Sequence, residues 1–201
     1  MTPFTELSAL ACPLPLENVD TDRLIPARFM KESRDKGYGR FLLHDMRFDE
    51  DGTATDFILN HPRAKGSEIL VARRNFGAGS SREAAVYALV DYGFRCVIAP
   101  SFGDIFSSNS VNNGLLPAVV SEQDAERLLA LLDEGPDEIH VDLERQRITA
   151  FGESFPFEID ATWKIKLLNG WDDIDLTRAR HDEIEAFRNA YTAAHPWTRP
   201  E

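Results

Sequence analysis

Hydrophobic and polar positions fall irregularly over the first third of the chain and sharpen into readable elements from Glu68 onward. Residues 4–16 have the apolar content of an opening strand, which Pro13 and Pro15 are expected to break. Asn18-Val19-Asp20-Thr21-Asp22 is turn chemistry, because Asx and Thr side chains bond nearby backbone amides. Residues 27–66 are polar, punctuated by glycine and without a clear period. An excursion of that length inside a compact domain is usually functional. Ile69-Leu70-Val71-Ala72 reads as a buried strand and Asn75 to Ser81 as a Gly-rich turn. A helix should run from about Ser81 to Tyr92, with Ala85, Ala88, Leu89 and Tyr92 on one face, until Gly93 ends it. Cys96-Val97-Ile98-Ala99 then closes a βαβ unit of about 30 residues.

Beyond Pro100, Ser101 to Phe106 suggests a short helix and Leu115 to Val120 another strand. Ser121 with Asp124 resembles a capping box for a helix through Leu132, closed by Gly135-Pro136. Ile139 to Ile159 alternates, with a break near Gly152, as a hairpin would. Helices at about Ala161–Asn169, capped by Gly170, and from about Arg178 to Ala194 complete the pattern. The fold class expected is α/β, with a mixed sheet flanked by helices.

Composition narrows the possibilities. The 201 residues fit one domain with a short appendage, and 43% hydrophobic content is enough for a sizeable core. With 22 Lys and Arg against 34 Asp and Glu, the net charge is −12, which disfavours a surface that tracks nucleic-acid phosphates. No apolar run approaches the roughly 20 residues of a membrane span. The first residues lack the basic start of a signal peptide, so a cytoplasmic location is expected. Cys12 and Cys96 are too few for a disulfide framework, a multi-Cys zinc site or a self-contained iron–sulfur cluster. His44, His61, His140, His181 and His195 show no ligand spacing, so no metal site is expected.

The candidate chemistry lies in Asn75-Phe76-Gly77-Ala78-Gly79-Ser80-Ser81-Arg82-Glu83. A buried strand feeding a tight turn that opens a helix points several N–H groups at one spot, with the positive end of the helix dipole behind them. Two hydroxyls and a guanidinium in the same turn suit a carboxylate or phosphate, since Arg grips a carboxylate through two parallel hydrogen bonds. A capping box, Ser80-x-x-Glu83, explains part of this pattern but not Ser81 with Arg82. A dinucleotide fingerprint would need a third Gly where Arg82 stands and an acid where the second strand closes with Ala99-Pro100. A Walker loop would need a Lys after the last Gly. The third alternative is an enzyme's carboxylate-binding and proton-transfer loop.

The stretch NFGAGSSREAAVYALVDYGFRCVIAPSFGDIF, with NGLLP after it and NVDTDRLIPARFM before it, resembles the small-subunit family of 3-isopropylmalate dehydratase, in the aconitase superfamily. The likeness covers roughly residues 4–190, with several motifs in the family's order. It implies a swivelling β/β/α domain over residues 1–201, with a helical extension from about 161. It also implies docking on a large subunit that carries a [4Fe–4S] cluster through three cysteines, this chain binding no cofactor. Ser80 would be the catalytic base, removing a proton next to a carboxylate of a small dicarboxylate substrate, with Gly79, Ser81 and Arg82 binding that substrate. Loop amides, the helix dipole and Arg82 would have to stabilise the serine alkoxide.

The resemblance also places Asp20, Thr21 and Asp22 beside the site as supporting residues, against the simpler reading of a self-bonded turn. It places a substrate-recognition loop at Arg28, Phe29, Met30 and Lys31. There, apolar side chains suit a branched alkyl group and basic ones an additional carboxylate. Ala78 and Ala84 stand where the family usually has Cys and His, and Ala161-Thr162-Trp163-Lys164 where a His is usual. The function implied is isomerisation of 2-isopropylmalate to 3-isopropylmalate by dehydration and rehydration in leucine biosynthesis. The alternatives are a paralogue for another substituted malate, of methylmalate–citraconate or dimethylmalate type, and a non-catalytic anion-binding subunit. Asp104 and Asp172 to Asp175 are expected to be a helix cap and solvated surface, and the two cysteines inert.

Overall fold

The computed structural model describes residues 1–79 and 81–198. Its strands are β1 (Glu6–Leu14), β2 (Ile69–Ala72), β3 (Cys96–Ala99), β4 (Leu116–Val119), β5 (Asp137–Asp142), β6 (Arg147–Ala150) and β7 (Glu153–Pro156). Its helices are α1 (Thr21–Leu24), α2 (His44–Arg47), α3 (Glu83–Tyr92), α4 (Asp104–Asn112), α5 (Glu122–Leu131), α6 (Ala161–Asn169), α7 (Asp173–Arg178) and α8 (His181–Ala194). One sheet holds all seven strands in the order β4-β3-β2-β1-β5-β6-β7. Pairing is parallel from β4 to β1 and antiparallel from β1 to β7. The chain is therefore α/β with a mixed sheet, as expected.

Both faces of the parallel strands are covered, so their runs are apolar without alternation. Ile69, Val71, Cys96, Ile98, Leu116 and Ala118 face a layer that contains Leu128, Leu129 and Leu132 beside Leu167. Cys12, Leu14, Leu70, Ala72, Val97 and Ala99 face the opposite layer, with Ala85, Val86, Ala88 and Leu89 of α3. Each step from β1 to β4 moves one place in the same direction, and right-handed crossovers then lie on one face. The long excursion, α3 and Phe106 of α4 occupy that face.

Pro13 does not break β1. The carbonyls of Leu10 and Leu16 accept from Glu68 and Arg73, so even-numbered residues present their backbone to β2 and Pro13 presents its own to the other edge. Pairing with β5 has ended there at Ala11, so the missing N–H leaves nothing unpaired. The polar excursion contributes Tyr38, Phe41, Leu42, Leu43 and Leu59 to the core through short 3₁₀ turns and α2.

Several elements differ in extent. Helix α4 starts later than expected, at Asp104, and runs on to Asn112, and α3 starts at Glu83, with Arg82 as its N-cap. Glu83 therefore does not occupy the third helical position of a capping box; its Oε1 accepts from Asn113 Nδ2 at 2.9 Å. The expected hairpin is two, with turns at Gln146 (φ 52°) and at Phe151-Gly152 (φ 51° and 81°). Helix α6 matches, with Asp160 accepting from the amides of Thr162 and Trp163 and Gly170 left-handed. The last helix is found as α8, beginning at His181, and an unexpected short helix, α7, precedes it. Asp172 and Asp175 form a reciprocal capping box that opens α7, so this tract is not merely solvated surface. Buried Lys166 Nζ bonds Asn112 Oδ1 and, at 2.6 Å, Asp173 Oδ1.

Candidate functional site

The loops after β1, β2 and β3 meet at the carboxyl ends of the parallel strands, where ligands bind in open α/β sheets. Gly77 N–H donates to Val19 O at 2.7 Å and Thr21 N–H to Ala78 O at 3.0 Å. Phe76 N–H donates to Ser101 O at 3.0 Å, and Gly103 N–H returns to Phe76 O at 2.9 Å. Isolated parallel bridges, Asp20 with Ala78 and Phe76 with Phe102, thus extend the sheet past its strand ends.

Two glycines make that approach possible. A Cβ on Gly77 would stand 2.2 Å from Phe106 Cγ, and one on Gly103 would stand 2.7 Å from Gly77 O. A Cβ on Gly79 would make only ordinary contacts, 3.7 Å from Asp20 Cβ and Thr21 Oγ1, but its φ of 102° is a left-handed backbone. Gly77, Ala78, Gly79, Gly103, Asp104, Ile105 and Phe106 line a cavity of about 250 Å³. A larger groove of about 560 Å³ lies elsewhere, between Leu14, Leu16, Phe57 and Leu129.

Six of the expected site residues are brought together. Asp20 Oδ1 accepts from Arg23 N–H at 2.8 Å and caps α1, which is the self-bonded turn. Thr21 is buried and its amide holds Ala78. Asp22 accepts from Arg82 Nη1, and the guanidinium is the less exposed partner, at 25% against 60%. Ser81, two positions beyond Gly79, is exposed. Ser80 lies outside the described residues.

Arg28, Phe29 and Met30 sit apart, on the 3₁₀ turn Ala27–Lys31. Both terminal nitrogens of Arg28 bond the carboxylate of Asp45, which holds that carboxyl below the usual range. Phe29 stacks on Phe41 at 4.3 Å between centroids and tilts against His44 at 4.6 Å. Met30 is exposed. Asp45 was invisible in the sequence, one acid within a polar excursion. Asn18 and Asn75, bonded to each other at 2.8 Å with φ of 55° and 60°, left one signal: Asn is among the few non-glycine residues that adopt this conformation readily.

Among the described residues, no group of three or more His, Cys, Asp or Glu is placed to hold a metal ion. Cys12 and Cys96 are buried on opposite faces of the sheet, and burial pushes both thiols up, Cys12 to about 12. No helix of the described residues is long and apolar enough to cross a membrane.

The family model for the Aconitase C-terminal domain matches residues 1–123, and the LeuD_N model matches residues 126–161. A protein of Rhodospirillum centenum named 3-isopropylmalate dehydratase small subunit is 47% identical over 200 residues, 98% of each chain. One of Ruegeria pomeroyi with the same name is 45% identical, over 98% of this chain and all of its own. The chain belongs to the 3-isopropylmalate dehydratase small-subunit family. A crystal structure of 3-isopropylmalate dehydratase (leuD) from Methanocaldococcus jannaschii shares the fold. Its TM-score is 0.65 at 24% identity, over 91% of this chain and 99% of that one.

Within this small-subunit family, the two alanines have a structural setting. Ala84 is half-buried against the layer that holds Phe106 and Leu89, and Ala78 contributes its backbone to the bridge with Asp20. Neither position asks for a polar side chain to hold the turn.

Proposed function

We propose that this chain is the small subunit of a hydro-lyase that isomerises 2-isopropylmalate to 3-isopropylmalate by dehydration and rehydration, in leucine biosynthesis. The observation that carries the reading is full-length likeness to proteins of that name, joined to a turn whose guanidinium is held beside it. We further propose one swivelling domain over residues 1–201, with a helical extension from about 161, docked on a large subunit. An iron–sulfur cluster does not fit this chain, because its two cysteines lie on opposite faces of the sheet. In the proposal a [4Fe–4S] cluster belongs to the large subunit, and this chain's part is proton transfer and carboxylate binding.

Ser80 is the base that takes the proton next to a substrate carboxylate. The loop amides around Gly79 and the N-terminus of α3 favour the negative charge that its oxygen must carry, as the alkoxide, before it takes that proton. Ser81 and Arg82 hold the carboxylate. Arg has five donors in a rigid plane, and the bond to Asp22 occupies one terminal nitrogen while fixing that plane, leaving the others for substrate. Asp20 and Thr21 support the turn through its backbone. At Arg28 to Met30, the filled guanidinium favours a neutral branched substituent near Phe29 and Met30 over an additional carboxylate.

The test is anaerobic turnover of the chain with a cluster-loaded large subunit from its own source, given isopropylmalate, methylmalate and dimethylmalate in parallel. Preference for isopropylmalate is expected, with Ser80→Ala lowering kcat about 10²–10⁴-fold while the complex still forms. Preference for a smaller diacid would make this a paralogue. No turnover of any substrate by an intact complex would leave an anion-binding subunit.

A further inference from the structure

We propose that Asn18 and Asn75 are a positioning clasp, a pair that aims the Gly77–Arg82 turn without touching substrate. This rests on the reading of that turn as the proton-transfer loop. The two residues stand where the chain leaves β1 and β2, immediately before the backbone bonds that carry the turn. Both are left-handed, at φ 55° and 60°, a conformation that an ordinary L-residue rarely adopts. Glycine would satisfy that backbone at no steric cost, as Gly77 and Gly79 do nearby. Asparagine adds a side chain, and the two side chains meet, Asn75 Nδ2–H donating to Asn18 Oδ1 at 2.8 Å.

The main chain around the pair is tied in the same direction. Asn18 N–H donates to Arg74 O at 3.0 Å, and Asn75 N–H to Ser101 Oγ at 2.8 Å, so the clasp spans the loops after β1, β2 and β3. The next bonds along the chain, Gly77 N–H to Val19 O and Thr21 N–H to Ala78 O, set where the turn points. Asn18 and Asn75 are exposed, so water competes for their bond and its contribution to stability is small. Its effect is on direction, and displacing a catalytic group by 1 Å can cost on the order of 10²-fold in rate.

An amide–amide bond makes a distinctive prediction, because either partner can be the donor. With Asn75→Asp, the Asn18 amide turns and donates to the new carboxylate; with Asn18→Asp, Asn75 donates as before. The double change leaves two acceptors and no donor. In the holoenzyme, each single Asp variant should therefore keep kcat within about 3-fold, while the double variant loses about 10–100-fold at unchanged KM. Asn75→Gly retains the left-handed backbone and loses the bond, and it should fall with the double variant.

Amide hydrogen exchange at Gly77 and Thr21, measured on the same complexes, should speed up in the double variant and in Asn75→Gly only. Additive losses, a rise in KM at constant kcat, or unchanged exchange in the double variant would each overturn the clasp. Faster exchange with no loss of turnover would overturn the proton-transfer reading of the turn while leaving the clasp as the device that aims it.

Discussion

Gly77 combines two constraints that neighbouring glycines separate. Its φ of 70° is left-handed, and a Cβ there would meet the Phe106 ring at 2.2, 2.5 and 2.6 Å. Gly37 shares the positive φ (72°, with ψ 133°) but has nothing within 4 Å, and Gly103 has an ordinary φ of −66° with a contact at 2.7 Å from a backbone oxygen. A positive φ costs alanine about 1–3 kcal/mol, so Gly37→Ala should cost about that amount, less a few tenths from a stiffer unfolded chain. Gly103→Ala carries the crowding alone, about 1–3 kcal/mol. Gly77→Ala carries both, about 2–6 kcal/mol. The ring cannot simply retreat, because Phe106 is 2% exposed and packs edge-on to Phe76 at 5.5 Å. Urea unfolding of the three variants is the assay, with turnover measured beside it. A second change, Phe106→Leu, should recover part of the Gly77→Ala loss but none of the Gly37→Ala loss. If Gly77→Ala falls within about 0.5 kcal/mol of Gly37→Ala, the scatter of an ordinary surface change, the close approach of Phe106 to the turn is refuted.

Asp45→Asn should free Arg28 and raise kcat/KM for a malate bearing an additional carboxylate by about 3–5-fold relative to isopropylmalate, the value of one exposed charge pair. An unchanged ratio would remove Arg28 from the substrate side. Lys166→Met should cost about 1–3 kcal/mol through its lost hydrogen bonds, since Asp173 is exposed and its carboxylate returns to water. Trypsin should then cut faster at Arg178 and Arg180, and an unchanged rate would show that α7 is held by other contacts. Iodoacetamide at pH 8 should label neither cysteine in the folded chain and both in urea, because the thiolate is the reactive form and burial raises both thiols. The Asp142 carboxyl is held low by the backbone N–H of Arg145 and then by its guanidinium. Its contribution is present above the unfolded value near 4 and is lost as pH falls through the folded one. The stability gap between the native chain and Asp142→Asn, measured by urea unfolding, should thus close in acid, and a constant gap would contradict the carboxylate's role.

Elements with local causes are legible in the sequence. β2 and β3 coincide with their apolar runs because both faces are covered, and α6 begins and ends at its cap residues, Asp160 and Gly170. What the sequence hides depends on partners far along the chain. Pro13 is harmless only because β5 stops pairing at Ala11, and Glu83, the first residue of α3, accepts from Asn113, 30 positions later. The excursion over 27–66 has no period because its buried residues lie in or beside short turns, several of which bury nothing themselves. For the site, the Gly-rich turn and the Asp20–Asp22 segment are legible as turn chemistry, whereas their contact is not. Nor is the capture of Arg28 by Asp45.

The contacts that hold the turn come mostly from its backbone. Gly77 lacks a side chain so that Phe106 can lie against it, Gly103 lacks one so that it can reach Gly77, and Ala78 acts through its carbonyl. This explains how a chain with alanine at 78 and 84 keeps the same geometry, since neither methyl group takes part in the bonds that hold the turn. Side-chain identity matters instead at the ends of the turn, where Asn75 meets Asn18 and Arg82 meets Asp22. Both partners come from the loop after β1. The excursion that follows that loop packs on α3, so its placement and the aim of the turn are coupled through one short segment, Asn18 to Leu24.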